Sequence, residues 1–517
     1  MVSAKTLIAS LAAVGALAAD VPSLQIKGSK FFYPNGTQFI IRGVAYQQDS
    51  SAGGSDAPKS NATFIDSLVS KSNCERDIPN LVSLNTNLIR TYGVDPNGNH
   101  DDCMQMLADA GIYVIADLGN PTISINRADP QWNVGLFTFF QSVVDTMAKY
   151  PNVVGFFVGN EVTNSNTTTG ASAYVKAAVR DMKQYVKDKN YHTGIGYAAD
   201  DSSDLRNTIA EYMNCGDASA GVDFYGYNVY EWCGDSTFET SGYNRILDFF
   251  QSYSVPAFFA EYGCNKPGGA AKREWQETGA LYAKNMTDVL SGGIVYEYFE
   301  EENDYGLVKA SDSDSTVTKL DDFDTLEKAM KAVDPQGVSM SSYNPSNKAA
   351  SCPSVNSSWE AKGSTLPPTP NQAACECAAN ASTCVPAANL DKSAYGAIFN
   401  YTCADASVCS GINGDPSTGK YGVYSMCSDE QKLAIVLSVY HSKHADASDS
   451  CSFGGNATTQ KGSGKTDCSK LAPSSGSNSS NSSSKENAGA AVGAPGYGVV
   501  VSLASLVALV ASAMVAL

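Results

Sequence analysis

Residues 153–161 read VVGFFVGNE, a continuous apolar run that ends in an amide and a carboxylate. A short, β-branched and aromatic run of this kind, bounded by polar residues, predicts a buried strand. Residues 257–262, AFFAEY, follow the same plan and again carry a carboxylate near the end. Charged side chains rarely follow an apolar strand without a function, so these two segments indicate both the fold and the site.

The pattern of residues 153–161 recurs along the first two thirds of the chain. The eight candidate strands are 39–46, 87–92, 113–118, 153–160, 194–199, 224–230, 257–262 and 294–299. Helix-like segments lie between them, such as 101–110, 136–149, 173–187, 246–253 and 323–332. Eight strand–helix alternations predict an α/β chain whose residues 20–340 form a (β/α)8 TIM barrel.

A doubly wound open sheet is the alternative to a barrel. That fold favours a Gly-rich phosphate-binding turn after its first strand. The sequence here is Arg42-Gly43-Val44-Ala45, which is not such a turn. The barrel is therefore the preferred interpretation.

Composition limits the possible partners. The chain has 517 residues, of which 43% are hydrophobic, enough for a large core and against wholesale disorder. Lys and Arg total 35 against 53 for Asp and Glu, giving a net charge of -18. A phosphate-binding surface must be basic, so we expect no nucleic-acid partner. With only four His residues, a His-rich metal site is not expected either.

In a TIM barrel the active site lies at the C-terminal ends of the strands. The predicted strand ends carry aromatic residues, amides and carboxylates, namely Gln47, Tyr92, Asp117, Asn160, Glu161, Tyr230, Glu261, Tyr296 and Tyr298. Aromatic faces stack on sugar rings and amides bind hydroxyl groups, so this rim favours a carbohydrate substrate. The strand ends carry neither a Cys/His nucleophile pair nor a metal-binding cluster, and we expect neither a metal nor a cofactor.

Glu161 and Glu261 end the fourth and seventh predicted strands, which face each other across the barrel mouth. Their carboxyl groups could approach to about 5 Å, the separation of a retaining glycosidase. The order of the motifs makes Glu161 the acid/base and Glu261 the nucleophile, and Asn160 would bind the sugar 2-hydroxyl. The acid should have a raised pKa. The alternative is that both are ordinary carboxylates at strand ends.

Two further features near the rim each allow two interpretations. An acidic cluster lies at and after the end of the eighth predicted strand, and we interpret its members as solvated rim charges rather than catalytic groups: Glu297, Glu300, Glu301, Glu302 and Asp304. Arg90 could orient a carboxylate through two hydrogen bonds, or it could be a buried ion-pair partner.

The segment 371–470 predicts a small disulfide-rich α+β module. A Pro-rich stretch, LPPTP at 366–370, precedes it within a linker at 341–370, and eight of the 14 Cys residues follow. Eight cysteines permit 105 pairings, so their spacing alone fixes none. A zinc site is the alternative, suggested by Cys375-Glu376-Cys377 and by His441 and His444, although neither has a usual zinc spacing.

Both ends of the chain resemble processing signals. Residues 1–19 have one early cation, an apolar run and a small-x-small end, which predicts a cleaved signal peptide. A Ser-rich stalk at 471–487 and a tail at 488–517 predict GPI attachment at Asn487, with a retained transmembrane helix as the alternative. We therefore expect a protein on the outer face of the plasma membrane and in the cell wall. Five sequons agree with this route: Asn35, Asn61, Asn166, Asn285 and Asn400.

Six motifs together resemble a known family, the fungal β-1,3-glucanosyltransferases of glycoside hydrolase family 72. In order, they are GVAYQ at 43–47, IRTY at 89–92, VGNE at 158–161, YNVYEWCG at 227–234, AEYGCN at 260–265 and VYEY at 295–298. The segment 371–470 resembles the Cys-rich carbohydrate-binding module of family 43.

The resemblance implies the same roles for Glu161 and Glu261. It also implies that Gln47, Tyr92, Asp117, Asn160, Tyr230 and one or both of Tyr296 and Tyr298 are sugar-subsite residues. The implied disulfides are Cys74–Cys103, Cys215–Cys352, Cys233–Cys264, Cys375–Cys427, Cys377–Cys468, Cys384–Cys451 and Cys403–Cys409. Sugar-stacking candidates in the module, which could equally form its core, are Tyr395, Phe399, Tyr401, Tyr421 and Tyr424.

The expected function is therefore a secreted, GPI-anchored, retaining enzyme that cleaves β-1,3-glucan internally and passes the new reducing end to another glucan chain. The expected partners are the donor and acceptor glucan chains and the membrane, reached through the anchor. We expect a monomer. The alternatives are an endo-β-1,3-glucanase with the same chemistry and a non-catalytic glucan-binding wall protein.

Overall fold

The computed structural model describes residues 21–48, 65–310, 315–444, 447, 449–464 and 468–471. The predicted signal peptide, the sequon at Asn61, the stalk beyond residue 471 and the predicted attachment site Asn487 lie outside the described residues. Within them, no helix is both long and apolar enough to cross a membrane.

Eight parallel strands close into a barrel, and each strand pairs with the next along the chain before β8 returns to β1. The strands are β1 Ile41–Ala45, β2 Leu88–Thr91, β3 Tyr113–Asp117, β4 Val153–Asn160, β5 Gly194–Ala199, β6 Phe224–Val229, β7 Ala257–Tyr262 and β8 Gly292–Val295. The predicted TIM barrel is confirmed, and the open-sheet alternative is excluded.

The eighth strand departs from the prediction, because it occupies Gly292–Val295 rather than 294–299. Gly292 has a φ of 94°, and a Cβ there would lie 2.1 Å from the carbonyl oxygen of Ile41 on β1. Close contact between the two backbones therefore requires glycine at this position. A sequence pattern treats two consecutive glycines as a strand boundary, so the predicted strand begins two residues too late, and it also ends four residues too late.

Helices cover the outside of the barrel. They are Lys71–Ser83, Asp101–Asp109, Val134–Met147, Ala171–Asp188, Arg206–Met213, Tyr243–Phe250, Gln276–Leu281, Lys284–Thr287 and Asp321–Ala332, with a 3-10 turn at Ala270–Lys272. The helix Val134–Met147 has a side-chain N-cap. Asn133 Oδ1 accepts from the backbone N–H of Leu136, which satisfies one of the free donors of the first turn.

Two layers of apolar side chains form the barrel core. Within β4, Phe157 points into the barrel, where it packs edge-on against Phe224 with ring centroids 5.4 Å apart. Its neighbours Phe156 and Val158 point outward into the layer between strands and helices. This alternation explains the continuous apolar run, because both faces of the strand are buried. Each buried Phe contributes about 1.5–3 kcal/mol.

Three short antiparallel strands, Gln25–Lys27, Lys30–Phe32 and Gln38–Phe39, cover the opposite end of the barrel from the strand C-termini. Phe31 from this sheet reaches Phe224 and Phe258 inside the barrel, with centroids 6.1 Å apart in both pairs. The N-terminal end is thus filled with side chains, and the C-terminal ends of the strands remain for a site. A small hairpin, Val308–Lys309 with Thr318–Lys319, follows β8.

The C-terminal module combines short helices with two small antiparallel pairs of strands. The helices are Gln372–Ala381, Tyr395–Thr402, Ala406–Cys409 and Asp429–Lys443, and the pairs are Cys384–Pro386 with Ala457–Thr459 and Gly414–Asp415 with Lys420–Tyr421. Short 3-10 turns lie at Lys392–Ala394, Phe453–Gly455 and Cys468–Lys470. Ser428 and Gln431 form a capping box at the start of the helix Asp429–Lys443.

All 14 cysteines lie within the described residues, and all are paired. The seven pairs are the ones that the family resemblance implies. The zinc alternative for the module is therefore wrong, because its thiols are consumed in disulfides. Cys215–Cys352 ties the barrel to the segment that leads to the module.

This connecting segment packs against the barrel rather than hanging free. The Trp359 indole is buried beside the Tyr212 ring, with centroids 5.1 Å apart. Farther along, Thr369 donates to an Asp181 carboxylate oxygen at 2.7 Å. These contacts fix the module beside the barrel.

Candidate active site

Glu161 and Glu261 both lie at the C-terminal rim of the barrel. Glu261 is the fifth of the six residues of β7, and Glu161 directly follows β4. The backbone of Glu161 has a φ of 50°, a left-handed conformation that is uncommon for residues other than glycine. Its N–H donates to the carbonyl of Ala198 on β5 at 2.9 Å. Strain of this kind is concentrated at functional sites, where the surrounding structure holds it in place.

Three donors converge on the buried carboxylate of Glu261. Arg90 Nη1 lies 3.2 Å and the Tyr92 hydroxyl 2.9 Å from Oε1, and the Tyr230 hydroxyl donates to Oε2 at 2.8 Å. Burial first, and then the charge of Glu161, raise the pKa of Glu261 to about 7, against the opposing effects of Arg90, Tyr230 and Tyr92. This raised pKa belongs to the residue that is expected to be the nucleophile.

Arg90 has both of the roles that the sequence left open. Its side chain is fully buried, and its Nε and Nη2 atoms donate to the two oxygens of Asp117 at 3.1 and 2.9 Å. The guanidinium also stacks on the ring of Tyr92, 4.1 Å from its centroid. Arg90 is therefore a buried ion-pair partner that also contacts Glu261 directly. Both oxygens of Asp117 accept from Arg90, so Asp117 orients that guanidinium.

Asn228, inside β6, was missed by the sequence reasoning. Its Nδ2 donates to Glu161 Oε1 at 2.7 Å and lies 3.2 Å from Asn160 Oδ1. Asn160 Oδ1 in turn accepts from Arg90 Nη2 at 3.0 Å. Asn228 is the fifth of the six residues of β6, the same place that Glu261 has in β7. It was passed over because the predicted strand ended at Tyr230, so only Tyr230 and Glu231 were considered at that end.

These contacts join the two carboxylates into one network. The path runs from Glu161 through Asn228, Asn160 and Arg90 to Glu261. Each member is held by a partner from another part of the barrel rim, so the geometry of the pair is set by the barrel itself. Such preorganisation allows catalytic groups to act without reorganising during the reaction.

Tyr296 and Gln47 complete one wall of the site. The ring of Tyr296 lies edge-on to those of Tyr92 and Tyr230, with centroids 6.2 and 6.3 Å apart. Gln47 Nε2 donates to the Tyr296 hydroxyl at 3.0 Å and to Glu297 Oε2 at 2.8 Å. The predicted residues Gln47, Tyr92, Tyr230 and Tyr296 therefore meet around Glu261.

Two predictions for the segment after β8 are wrong. Tyr298 does not reach the site: its ring packs on Tyr46 and Phe299, and its hydroxyl donates to Asp77 at 3.1 Å. Since β8 ends at Val295, strand parity does not apply beyond it, and Tyr296 and Tyr298 face different surroundings. Glu297 is not a solvated rim charge but is fully buried, and burial raises its pKa to about 8.

The comparisons with known proteins agree with this arrangement. A sequence model of the family described as glucanosyltransferase matches residues 13–334, which is more than half of the chain. The chain belongs to the glucanosyltransferase family. A second model, described as the X8 domain, matches residues 382–458 within the Cys-rich module.

Named relatives of this glucanosyltransferase span nearly all of its length. The 1,3-beta-glucanosyltransferase of Arthroderma benhamiae is 46% identical over 454 residues, 87% of this chain and 82% of the relative. The 1,3-beta-glucanosyltransferase gas1 of Schizosaccharomyces pombe is 42% identical over 470 residues, covering 90% and 84%.

Among solved structures, a mutant of Gas2p from Saccharomyces cerevisiae in complex with laminaritetraose and laminaripentaose superimposes with a TM-score of 0.78. It is 38% identical, and the match covers 88% of this chain and 98% of that one. The glucanosyltransferase described here therefore shares the fold of that protein in both its barrel and its module.

Two further carboxylates of this glucanosyltransferase lie at the rim after β5, and the first of them, Asp200, interacts with Glu161. Asp200 and Asp201 follow β5, and the pKa of Asp200 is raised to about 7, first by burial and then by the charge of Glu161. Asp201 accepts from Tyr227 and, at 2.8 Å, from Arg206 Nη1. They were missed, although the rule that found Glu161, a carboxylate directly after an apolar strand, applies to them as well.

The site depends on hydrogen bonds and carboxylates. Among the residues that the structure describes, no group of three or more His, Cys, Asp or Glu side chains is arranged to hold a metal ion. What the arrangement offers is one carboxylate surrounded by donors, a second held by an amide, and aromatic rings beside them. These groups suit acid/base and nucleophilic chemistry at a sugar.

Proposed function

We propose that this protein is a retaining β-1,3-glucanosyltransferase, which cleaves β-1,3-glucan internally and transfers the new reducing end to the non-reducing end of another glucan chain. The observation that carries the proposal is the network that joins Glu161 and Glu261 at the rim of the barrel. The laminari-oligosaccharides in the complex of the yeast relative support the substrate class.

In the first step a carboxylate oxygen of Glu261 attacks the anomeric carbon of the bond to be cleaved. The bond from that carbon to the glycosidic oxygen breaks, and Glu161 donates its proton to this oxygen, which leaves with the released fragment. The product is a glycosyl ester on Glu261. The three donors around Glu261 support this role, because they favour the ionised carboxylate that must attack.

In the second step an acceptor hydroxyl gives its proton to Glu161, and its oxygen bonds to the anomeric carbon. The ester bond breaks and Glu261 recovers its negative charge. Two displacements at one carbon retain its configuration. Asn160 is held by Arg90 and Asn228, which supports its proposed contact with the sugar 2-hydroxyl. Gln47, Tyr92, Tyr230 and Tyr296 are the proposed subsite residues, and Asp117 is a positioning residue.

The roles of the two carboxylates can be tested separately. We expect Glu161→Gln and Glu261→Gln each to lower kcat by about 10³-fold or more, with glucan binding retained. β-Laminaribiosyl fluoride needs no acid to lose fluoride, so Glu161→Gln should accumulate a glycosyl ester on Glu261, detected by the mass of its peptide. Glu261→Gln is the matched control and should form none. An ester on any other residue would refute the assignment.

Transfer rather than hydrolysis is supported by the names of the relatives. Retention permits either outcome, because water and a sugar hydroxyl compete for the same ester. Incubation with a reduced laminari-oligosaccharide should give products longer than the substrate. Products that are all shorter would instead make the protein an endo-β-1,3-glucanase, and a protein that binds but cleaves nothing would be the non-catalytic alternative.

We also propose the location and processing that the sequence predicts: removal of residues 1–19, a stalk at 471–487, attachment of a GPI anchor at Asn487 with loss of 488–517, and a monomer at the outer face of the plasma membrane and in the cell wall. The small residues at 487–489 and the uncharged tail support the anchor. Phosphatidylinositol-specific phospholipase C should release the protein from membranes. Asn487→Pro should abolish release, and release of that variant would contradict the site.

A further inference from the structure

A buried carboxyl group that the proposed reaction does not use lies one residue beyond Tyr296, at the edge of the active site. Glu297 is fully buried, and burial raises its pKa to about 8. Removing a carboxyl group from water is costly unless polar partners compensate it. Carboxyl groups with such a perturbed pKa are concentrated at functional sites, so the partners of Glu297 indicate what it does.

Two side-chain amides hold the carboxyl group of Glu297. Gln47 Nε2 donates to its Oε2, and Asn303 Nδ2 donates to its Oε1, each at 2.8 Å. The same two nitrogens lie 3.0 and 3.3 Å from the hydroxyl oxygen of Tyr296. The four side chains therefore form one cluster, and two of them, Gln47 and Tyr296, are proposed subsite residues.

This cluster determines which atom of the Gln47 amide can bind a sugar. The amide nitrogen carries two hydrogens, and both are engaged, one by Glu297 and one by Tyr296. Any hydrogen bond from this amide to a sugar hydroxyl must therefore use Oε1 as the acceptor. The Tyr296 hydroxyl alone would not fix the amide, because a hydroxyl can accept from the nitrogen or donate to the oxygen. A carboxyl oxygen that only accepts removes this ambiguity.

The backbone around Glu297 is itself held in place. The N–H of Glu297 donates to the carbonyl of Tyr305 at 3.1 Å. The carbonyl of the preceding residue, Tyr296, accepts from Arg273 Nη1 at 2.7 Å, and this buried guanidinium is paired with Asp322. Glu297 is therefore a fixed point to which the amide of Gln47 is bonded. Supporting contacts of this kind keep a binding group in its productive geometry.

We propose that Glu297 is a positioning residue for the glucan substrate, which it serves by fixing the side-chain amide of Gln47 with Oε1 available to a sugar hydroxyl. Glu297 acts through Gln47 and takes no part in the bond-making steps. The inference rests on the proposed function, in which Gln47 is a subsite residue. Its consequence is that the contribution of Gln47 to glucan affinity depends on Glu297.

A double-mutant cycle measures this dependence. Glu297→Met and Gln47→Met each remove one partner while keeping a side chain of similar length. The Kd of laminaripentaose is measured by calorimetry with Glu161→Gln present in every variant, which prevents turnover. We expect each substitution to raise the Kd about five- to tenfold. The two together should raise it no further than Gln47→Met alone, because an amide that is not held contributes little.

Glu300→Met is the matched control. Glu300 is a half-buried carboxylate in the same segment, and its Oε2 accepts from the backbone N–H of Gly306 at 2.8 Å. Since this contact does not involve Gln47, the Kd of the control should stay close to that of the Glu161→Gln parent. Chemical denaturation of Glu297→Met and Glu300→Met measures their stability, which separates a loss of folding free energy from a loss of affinity.

Exchange of the two side chains gives a second test that introduces no apolar group. Gln47→Glu alone places two carboxyl groups against each other and should weaken binding. Adding Glu297→Gln places an amide donor opposite the new carboxyl group, which keeps an acceptor for the sugar. The exchanged pair should therefore recover most of the affinity for laminaripentaose.

Three results would overturn the role of Glu297: additive effects in the cycle, a Kd that either single substitution leaves unchanged, or an equal rise in Glu300→Met. Failure of Glu297→Gln to restore binding to Gln47→Glu would overturn it as well. If the unmodified enzyme neither cleaves nor lengthens laminaripentaose, the proposed function fails instead, and the binding cycle still reports whether Glu297 and Gln47 act together.

Discussion

At the scale of single residues, the environment of Glu261 sets the pH at which the site can act. A buried carboxylate without donors would remain protonated, because burial penalises its charge. Here Arg90, Tyr92 and Tyr230 each stabilise the charged form and partly offset burial. The balance leaves the pKa of Glu261 at about 7. Near neutral pH the protonated and the ionised forms of Glu261 are therefore both populated.

Removal of one donor should shift this balance in a known direction. Tyr230→Phe deletes the hydrogen bond to Glu261 Oε2, which destabilises the carboxylate and raises the pKa of Glu261. Since the nucleophile must be ionised, activity is lost as the pH falls through that pKa. The acidic limb of kcat/KM should therefore move to higher pH, by a few tenths to about one pH unit.

Tyr305→Phe is the control for this measurement. The ring of Tyr305 lies beside Tyr230, with centroids 5.6 Å apart, but Glu261 accepts its hydrogen bonds from Arg90, Tyr92 and Tyr230. The profile of Tyr305→Phe should stay close to that of the unmodified enzyme. An acidic limb that moves to lower pH in Tyr230→Phe would mean that the phenol does not stabilise the charged nucleophile.

At the scale of secondary structure, the closure of the barrel depends on Gly292. Gly292→Ala would place a Cβ 2.1 Å from the carbonyl oxygen of Ile41, in a backbone with a φ of 94°. We expect a loss of about 3 kcal/mol in the free energy of unfolding, from strain and overpacking together. Chemical denaturation monitored by circular dichroism measures it.

Gly279→Ala is the matched substitution. Gly279 lies in the helix Gln276–Leu281, where a Cβ would meet no atom within 4 Å. That variant should gain about 0.5–1 kcal/mol, because the unfolded chain loses conformational freedom. If Gly292→Ala were as stable as the unmodified protein, the barrel would not need the close contact between β1 and β8.

At this scale, the bounds of the strands show how much of the fold could be predicted from the sequence. β4, β5 and β7 match their predicted bounds, because each is an apolar run with clear polar boundaries. β8 was displaced because its first two residues are glycines that the fold requires but a pattern reads as a break. Tyr298 was then misassigned, since its assignment relied on the parity of that strand.

The sequence predicted those site residues that lie at or near the ends of strands. Glu161, Glu261, Asn160 and Tyr92 were found in this way, and the structure brings them together. Asn228 was not found by that rule, because its role follows from the registers that bring β6 and β4 together on either side of β5. Burial of Glu297 could not be foreseen either, because it depends on contacts with Gln47 and Asn303 from other segments.

At the scale of the whole molecule, the disulfides differ in how much of the chain they constrain. Cys215–Cys352 closes a loop with a sequence separation of 137, whereas Cys403–Cys409 closes one of 6. A crosslink lowers the entropy of the unfolded chain more when its loop is longer. The bond between barrel and linker should therefore contribute more to stability than the short loop inside the module.

Paired serine substitutions test this difference. The Cys215→Ser/Cys352→Ser variant should lose about 5 kcal/mol in the free energy of unfolding, against about 2 kcal/mol for Cys403→Ser/Cys409→Ser. Denaturant titration of both variants measures it.

Serine retains an acceptor for Lys176 Nζ, which lies 3.2 Å from Cys215 Sγ, so the buried amine keeps its partner. Transfer activity below the unfolding range should persist, because Trp359 and Thr369 still hold the linker on the barrel. Equal losses in the two variants would show instead that local packing, and not loop length, determines what each disulfide contributes.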